Sequence, residues 1–201
     1  MGHLEKRFVK TSIKRITGNW DLGYALDKHV LSSVYLGDNA YGHPQFDTSR
    51  SEVGEALFKL KYRGDWAQVA PLANELAVSI YPRFDEVGLL IPMPASNVRP
   101  KQPVTAVAKA LGQLVKKPLF ENLLTKTLNG TQLKDLTTKE EKREALKGSF
   151  SVRDEIDGTG PWNALLVDDL FDSGASLEAA CAVLRDYPKI KKIYAAVLTW
   201  K

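Results

Sequence analysis

The sequence predicts an α/β fold, with a mostly parallel sheet flanked by helices and a small N-terminal segment or hood. Two stretches, 87–114 and 164–186, each read as an apolar strand, a polar loop and a helix with apolar residues at helical spacing. A last apolar run at 193–200 predicts a further strand. Because parallel strands bring their carboxyl ends to one edge of a sheet, we expect the loops of both units to meet there.

The first 48 residues are predicted to form the N-terminal segment or hood, separate from a domain spanning 49–201. Val9, Ile13 and Ile16 predict a short amphipathic helix, and residues 30–36 predict a strand. The stretch between 20 and 47 is rich in Gly, Asp, Asn and aromatic residues. Such a segment can cover one edge of the core or lie over a site.

Two helices are expected before the first strand–loop–helix unit. The run Ser-Arg-Ser-Glu at 49–52 has the pattern of a capping box, and Gly64 is a plausible stop for the helix that follows. Residues 66–80 predict a second helix, whose apolar positions face one side. Lys61 and Arg63 stand at the end of the first helix, where solvation is a simpler interpretation than contact with a ligand.

The region between the two units predicts a short strand within 119–126, a polar loop at 127–138 and a charged helix capped by Thr137 or Thr138. A polar loop of this kind can close over a hydrolysable substrate and exclude water. The alternative is an ordinary surface excursion.

The most informative candidate site residues are Asp168 and Asp169, which directly follow the apolar run at 164–167. Adjacent carboxylates at a strand end accept hydrogen bonds from sugar hydroxyls or bind a hard cation such as Mg²⁺. The alternative is a strand–turn–helix with a solvated acidic corner. No P-loop or dinucleotide-binding glycine motif is present in the sequence.

A loop of small residues, 172–176, leads from the acidic pair into the next helix. Gly174 permits a tight turn and a close backbone approach to a ligand. Backbone N–H groups at a helix start bind anions, and the hydroxyls of Ser173 and Ser176 add donors, with Ser176 also able to cap the helix. A phosphate site beside a diol site predicts a ribose 5-phosphate ligand.

A second set of candidate ligands follows the apolar run at 87–93. Ser96, Arg99 and Lys101 lie in its polar loop. Cations and small donors at the same sheet edge suit a pyrophosphate. The alternative is a solvated basic loop.

The composition of the chain limits the class of protein to which it can belong. The chain has 201 residues, one cysteine and a net charge of +4, which is compatible with anionic ligands and also with an ordinary mixed surface. A single cysteine, Cys181, excludes an internal disulfide and a Cys-rich zinc site, and the three histidines lack metal-ligand spacing. No apolar stretch is long enough for a membrane span and no signal core follows the N-terminus, so we expect a cytoplasmic protein without a membrane partner.

Residues 167–176 closely resemble the PRPP (5-phosphoribosyl 1-diphosphate) motif of type I phosphoribosyltransferases, which is an apolar strand, Asp-Asp, a few residues and Thr-Gly-x-Thr. Ser173 and Ser176 stand where that family usually has Thr. Further blocks resemble ComF-type phosphoribosyltransferase-like proteins, in the same order over about 50–200. They are residues 57–65, Pro92-Met93-Pro94 with Arg99, and Gln132, Leu136, Arg143 and 148–150. This chain lacks the N-terminal zinc module of many ComF proteins, and residues 98–103 differ from their usual Arg-Gly-Phe-Asn run.

The resemblance implies transfer of ribose 5-phosphate to a nitrogen acceptor, with release of pyrophosphate and with Mg²⁺ as cofactor. Asp168 and Asp169 would hold the ribose hydroxyls and, directly or indirectly, the metal. The 5-phosphate would lie on Asp172, Ser173, Gly174, Ala175 and Ser176, and the pyrophosphate on Ser96, Arg99 and Lys101. Asp172 is also a candidate general base.

Other functions are compatible with the sequence. The chain can be a sensor or accessory factor that binds PRPP or a nucleotide without turnover, and ComF-like proteins are associated by resemblance with DNA uptake. A nucleic-acid-binding protein ranks last, because the charge excess is small and no basic–aromatic ladder is present. The acceptor base is not identified, and a homodimer is open, since members of the family are often dimers.

Overall fold

A computed structural model describes residues 10–95, 97, 99–127 and 136–201. Its centre is a five-stranded sheet in the spatial order β1-β2-β9-β8-β5. These strands are β1 (Lys14–Arg15), β2 (Leu22–Lys28), β5 (Leu89–Pro92), β8 (Trp162–Phe171) and β9 (Ile190–Trp200). All neighbouring pairs are parallel except β1 with β2. The mixed α/β class with a mostly parallel sheet is therefore confirmed.

Helices cover both faces of this sheet. Helices α1 (Glu52–Tyr62), α2 (Val69–Glu75) and α3 (Pro103–Val115) pack on one face. Helix α5 (Ala175–Arg185) packs on the other face, with the two-stranded sheet of β6 (Leu124–Lys126) and β7 (Phe150–Val152) beside it. A short helix, α4 (Lys139–Ala145), contacts α5. Two apolar clusters, one on each side of the sheet, form the core and hold the strand ends in place.

The N-terminal segment differs from its prediction in two places. The predicted helix over Val9, Ile13 and Ile16 is wrong where the structure describes it, since residues 14–15 form β1 and residues 10–13 are not helical. Strand β1 pairs with β2, and Ile16 is buried beneath it, so pairing at a sheet edge outweighs a helical spacing of three apolar residues. The boundary at residue 48 stays a prediction, but β2 lies inside the central sheet.

The predicted strand at 30–36 is confirmed as β3 (Val30–Asp38), which pairs with β4 (Pro44–Arg50) in an antiparallel hairpin. The hairpin is separate from the central sheet, and most of its side chains are exposed. The Tyr35 and Phe46 rings lie across the two strands, with centroids 5.6 Å apart.

The two helices predicted after the hairpin form with altered ends. The first begins two residues later than a cap at Ser49 predicts, because Ser51 is the cap and its Oγ accepts a hydrogen bond from the Gly54 N–H at 3.0 Å. The second is split into a 3-10 turn at 66–68, α2, and a π turn at 76–80. The Ser79 hydroxyl donates to the buried carboxylate of Glu75 across that turn.

Strand β8 is longer than the apolar run that predicted it. It continues through the acidic pair to Phe171, because β9 runs alongside and pairs Asp168 with Val197 and Leu170 with Thr199. The strand predicted within 119–126 is β6, and the capping box predicted at Thr138 is present at the start of α4. Most of the predicted polar loop, residues 128–135, lies outside the described residues. Among the described residues, no helix is long and apolar enough to cross a membrane.

Candidate active site

Two adjoining clefts open at the carboxyl ends of β5 and β8, the edge where the sequence predicted a ligand site. The first has a volume of about 280 Å³ and contains the acidic pair. The second, of about 290 Å³, contains the loop of small residues. Asp168, Leu170 and Ser176 line both clefts, so one ligand can span them. Other charged side chains of the first cleft are Lys61, Arg99, Lys126 and Asp169.

Asp168 lies at the junction of the two clefts. Burial of its carboxyl group, reinforced by the charge of Asp169, raises the pKa of Asp168 to about 7. Its Oδ1 accepts a hydrogen bond from the Asp169 N–H at 2.8 Å, which fixes the orientation of the carboxyl group. Near neutral pH this group can therefore both accept and donate hydrogen bonds, and a hydroxyl can pair with either form.

Asp169 forms an ion pair with Lys61, with 2.7 Å between Oδ2 and Nζ. Burial lowers the pKa of Lys61, but the charge and hydrogen bond of Asp169 outweigh burial and leave that pKa raised. Both side chains are largely shielded from solvent, so the pair is stronger than an ion pair on an open surface.

The backbone of Asp169 is held from the opposite side. The Thr199 hydroxyl donates to the Asp169 carbonyl at 2.8 Å, so it accepts from the His29 Nδ1–H at 3.1 Å. Burial, followed by the charges of Arg50 and Lys61, lowers the pKa of His29 and keeps the imidazole neutral. This chain of hydrogen bonds links the residue that follows β2 to β9 and β8, on the backbone side of the acidic pair.

The loop of small residues enters α5 through Gly174, which has a φ of 80°. A Cβ at this position would lie 3.0 Å from the Phe171 ring, so both backbone conformation and space favour glycine. Gly174 is the residue that caps α5, and Ser176 is not the cap, contrary to one expectation. Ser176 instead lies in the first turn of α5, and residues 173–177 all line the second cleft. The Ala175 N–H donates to Ser173 Oγ at 3.4 Å, and the first N–H groups of a helix have no partner within the helix itself.

Asp172 stands at the rim of the second cleft and pairs with Lys142 of α4, at 2.9 Å. The hydrogen bond from Lys142 lowers the pKa of Asp172 and keeps it ionised. Lys139 and Arg143, on the same short helix, pair with Glu178 of α5 at 2.6 and 2.9 Å. These contacts place the Lys142 ammonium beside the loop that was predicted to bind phosphate.

The three residues predicted for pyrophosphate have different locations. Arg99 lines the first cleft, and its guanidinium donates to the Lys61 carbonyl at 2.8 Å. Lys101 lies outside that cleft, with its ammonium 4.1 Å from the centroid of the Trp66 ring, a cation–π contact. Ser96 lies outside the described residues.

For one lysine of the site, Lys61, the sequence favoured solvation over a ligand contact, and the other, Lys126, was not predicted as a site residue. Lys61 follows Leu57 by one turn and so extends from the buried stripe of α1, a position that distinguishes it from a solvated helix end. Lys126 reaches the cleft from β6; burial lowers its pKa, against the opposing charge of Asp168. No local pattern marks Lys126, because β6 is brought to the cleft only by folding.

The residues present set limits on a metal site. Among the described residues, no group of three or more His, Cys, Asp or Glu side chains is arranged to hold a metal ion. Two carboxylates, one of them already paired with an ammonium, would supply only part of the oxygen ligands of a Mg²⁺ ion, which commonly keeps several waters. Asp168 and Asp169 would contact such an ion.

Two solved phosphoribosyltransferase structures are similar to this chain. A hypoxanthine phosphoribosyltransferase from Staphylococcus aureus is 14% identical over 66% of this chain and 63% of its own, with a TM-score of 0.39. The chain thus spans less than two thirds of that enzyme. An adenine phosphoribosyltransferase is 9% identical over 84% of this chain and 86% of its own, also with a TM-score of 0.39.

No protein-family model matches the sequence, and no curated protein matches it. The TM-scores and identities of the two solved structures are too low to transfer a substrate to this chain.

Proposed function

We propose that this protein is a PRPP-dependent phosphoribosyltransferase of the type I, ComF-like kind, which transfers ribose 5-phosphate to a nitrogen acceptor and releases pyrophosphate. One observation supports this function above others. The acidic pair and the loop of small residues open on adjoining clefts that share Asp168 and Ser176. Hydroxyl acceptors next to a phosphate cradle match a ribose 5-phosphate.

Each part of PRPP is assigned to one group of residues. The ribose hydroxyls contact Asp168 and Asp169. The 5-phosphate binds the backbone N–H groups and hydroxyls of residues 172–176, where the Lys142 ammonium is close by. The diphosphate lies against Arg99 in the first cleft, whereas Ser96 and Lys101 are assigned to it by the motif alone.

In the proposed reaction, the bond between C1 and the diphosphate oxygen breaks, and its electron pair leaves with pyrophosphate. A lone pair of the acceptor nitrogen forms the new bond to C1. Asp172 is the candidate general base for the proton of the acceptor, because its pairing with Lys142 keeps it ionised, although a lowered pKa weakens its basicity. Mg²⁺, when bound, would neutralise the charge of the leaving pyrophosphate.

The direct test is isothermal titration of the purified protein with PRPP, with and without Mg²⁺. We expect Mg²⁺-assisted binding that is lost in the double variant Asp168→Asn/Asp169→Asn. A matched control is Asp85→Asn/Glu86→Gln, which removes an exposed acidic pair that precedes β5 at the opposite edge of the sheet. No heat and no thermal shift at millimolar PRPP would contradict the proposal.

A second candidate is an accessory or regulatory protein, linked to DNA uptake, that binds PRPP or a nucleotide. It differs from the proposed transferase only in that it does not turn over the ligand. A screen for pyrophosphate release from PRPP with a panel of purine, pyrimidine and amine acceptors distinguishes the two. An enzyme releases pyrophosphate with at least one acceptor, and this release is lost in Asp169→Asn. A homodimer and a cytoplasmic location remain predictions, which light scattering and cell fractionation would test.

A further inference from the structure

Lys61 joins the two halves of the first cleft through two different atoms. Its Nζ contacts Asp169 Oδ2 at 2.7 Å, and its carbonyl oxygen accepts a hydrogen bond from Arg99 at 2.8 Å. The last turn of α1 therefore lies between the acidic pair at the end of β8 and the loop that follows β5.

The ion pair occupies an oxygen that the proposed function assigns to the ribose. A hydroxyl that binds Asp169 Oδ2 competes with the Lys61 ammonium for the same acceptor. If the ammonium left Asp169 without a new partner, a positive charge shielded from water on most sides would stay unpaired, which is strongly unfavourable. A ligand that also supplies an anion near Arg99 removes this penalty.

We propose that Lys61 is a specificity-determining residue whose ammonium moves from Asp169 to the diphosphate of the ligand. The inference rests on the proposed function and deepens it. Lysine suits such a transfer, because its charge is compact and its four-carbon stem is flexible. PRPP carries both the ribose hydroxyls and the diphosphate, so it exchanges one partner of Lys61 for another. Ribose 5-phosphate lacks the diphosphate and has to compete with Lys61 for Asp169.

The test compares the dissociation constants of PRPP and ribose 5-phosphate in the wild type and in Lys61→Met, measured by isothermal titration. Methionine keeps the length of the apolar stem and removes the charge. We expect affinity for PRPP to fall at least tenfold, which corresponds to about 1.4 kcal/mol of binding free energy. Affinity for ribose 5-phosphate should stay within about threefold of the wild type or improve. The matched control is Lys59→Met, which removes an exposed lysine of the same helix whose ammonium pairs with Glu55 at 3.7 Å.

Each outcome is decisive. Equal losses for both ligands, or no loss for PRPP, would overturn the role of Lys61 while leaving the proposed function intact. If the wild type binds neither ligand, the proposed function fails, and the role of Lys61 fails with it. Should Lys61→Met not fold, Lys61→Met/Asp169→Asn removes both charges, and the ratio of the two affinities is compared with that of Asp169→Asn alone.

Discussion

At the scale of single residues, the two neighbouring carboxyl groups of the site differ in their partners and in their pKa. Asp169 is compensated by the Lys61 ammonium, and its backbone is held by Thr199. Asp168 is partly buried beside that charge, and its pKa is raised to about 7. Strongly displaced pKa values of this kind concentrate at functional sites, because burial of a charged group is otherwise unfavourable. The acidic pair therefore lowers the stability of the folded protein.

The raised pKa of Asp168 predicts that the stability of the folded protein depends on pH. The pKa of Asp168 rises from 3.8 in a model compound to about 7 in the fold, so its ionisation destabilises the folded protein increasingly between about pH 4 and pH 7. Asp168→Asn should therefore increase the free energy of unfolding relative to the wild type at pH 8, by about 1 to 4 kcal/mol, and by much less at pH 4.5. Urea unfolding at the two pH values measures the difference.

The control for that experiment is Asp157→Asn, which alters an exposed carboxylate in the turn before β8. Its difference from the wild type should be small at both pH values. A stabilisation by Asp168→Asn that is the same at pH 4.5 and pH 8 would contradict an ionisation that is unfavourable in the folded state.

At the scale of secondary structure, helix α1 positions Lys61 in the site with its last turn. The position of Lys61 therefore depends on contacts that fix the start of the helix. The Ser51 hydroxyl caps the helix, and Gly54 packs so closely that a Cβ there would lie 2.2 Å from the His29 carbonyl oxygen. The start of α1 is therefore fixed against the junction of β2 and β3. Helix length then determines where Lys61 arrives, at the carboxyl ends of the strands.

The capping-box pattern in the sequence places the helix cap at Ser49, whereas the structure places it at Ser51, and substitution of each serine distinguishes the two. Ser51→Ala should cost about 1 kcal/mol of unfolding free energy, because it leaves the Gly54 N–H without its buried partner. Ser49→Ala should change stability by less than about 0.5 kcal/mol, since Ser49 is exposed in β4. Urea unfolding of both variants is the measurement. Equal costs would show that Ser51 is not the dominant cap.

At the scale of the whole molecule, the N-terminal segment has two parts with different roles. Strand β2 lies between β1 and β9 and contributes the fully buried side chains of Ala25 and Leu26. The hairpin of β3 and β4 packs on the rest of the molecule mainly where β4 meets α1, and it leaves Leu36 and Tyr41 exposed. One part completes the core, and the other projects from it.

Two shortened chains test this division. Residues 49–201 alone should not fold stably, because removal of β2 leaves the edge of β9 unpaired and opens the core on both faces. The full chain with residues 31–49 replaced by a short Gly/Ser linker should stay folded, because Val30 and Arg50 are neighbours across the hairpin. Circular dichroism and thermal unfolding compare the two. A chain of 49–201 as stable as the full protein would refute the role of β2.

Much of the fold follows from local pattern. The two strand–loop–helix units, the last strand, the turn at Gly174 and a cap at Thr137 or Thr138 were all predicted, and Thr138 is the cap. Each depends on the order of apolar, capping and small residues within about 20 positions. The predicted helix over Val9, Ile13 and Ile16 was wrong, since the same spacing allows an extended segment to bury Ile16 under the sheet.

The residue chemistry of the site was determined by the sequence alone: adjacent carboxylates at the end of an apolar strand, followed by a turn that only glycine adopts easily and by a helix start. Which cations meet those carboxylates was decided by the tertiary structure. Lys61 and Lys126 are distant from Asp168 in the chain, and only the order of strands and the packing of α1 and β6 bring them to the cleft. Strand order depends on contacts between distant residues, which no local pattern encodes.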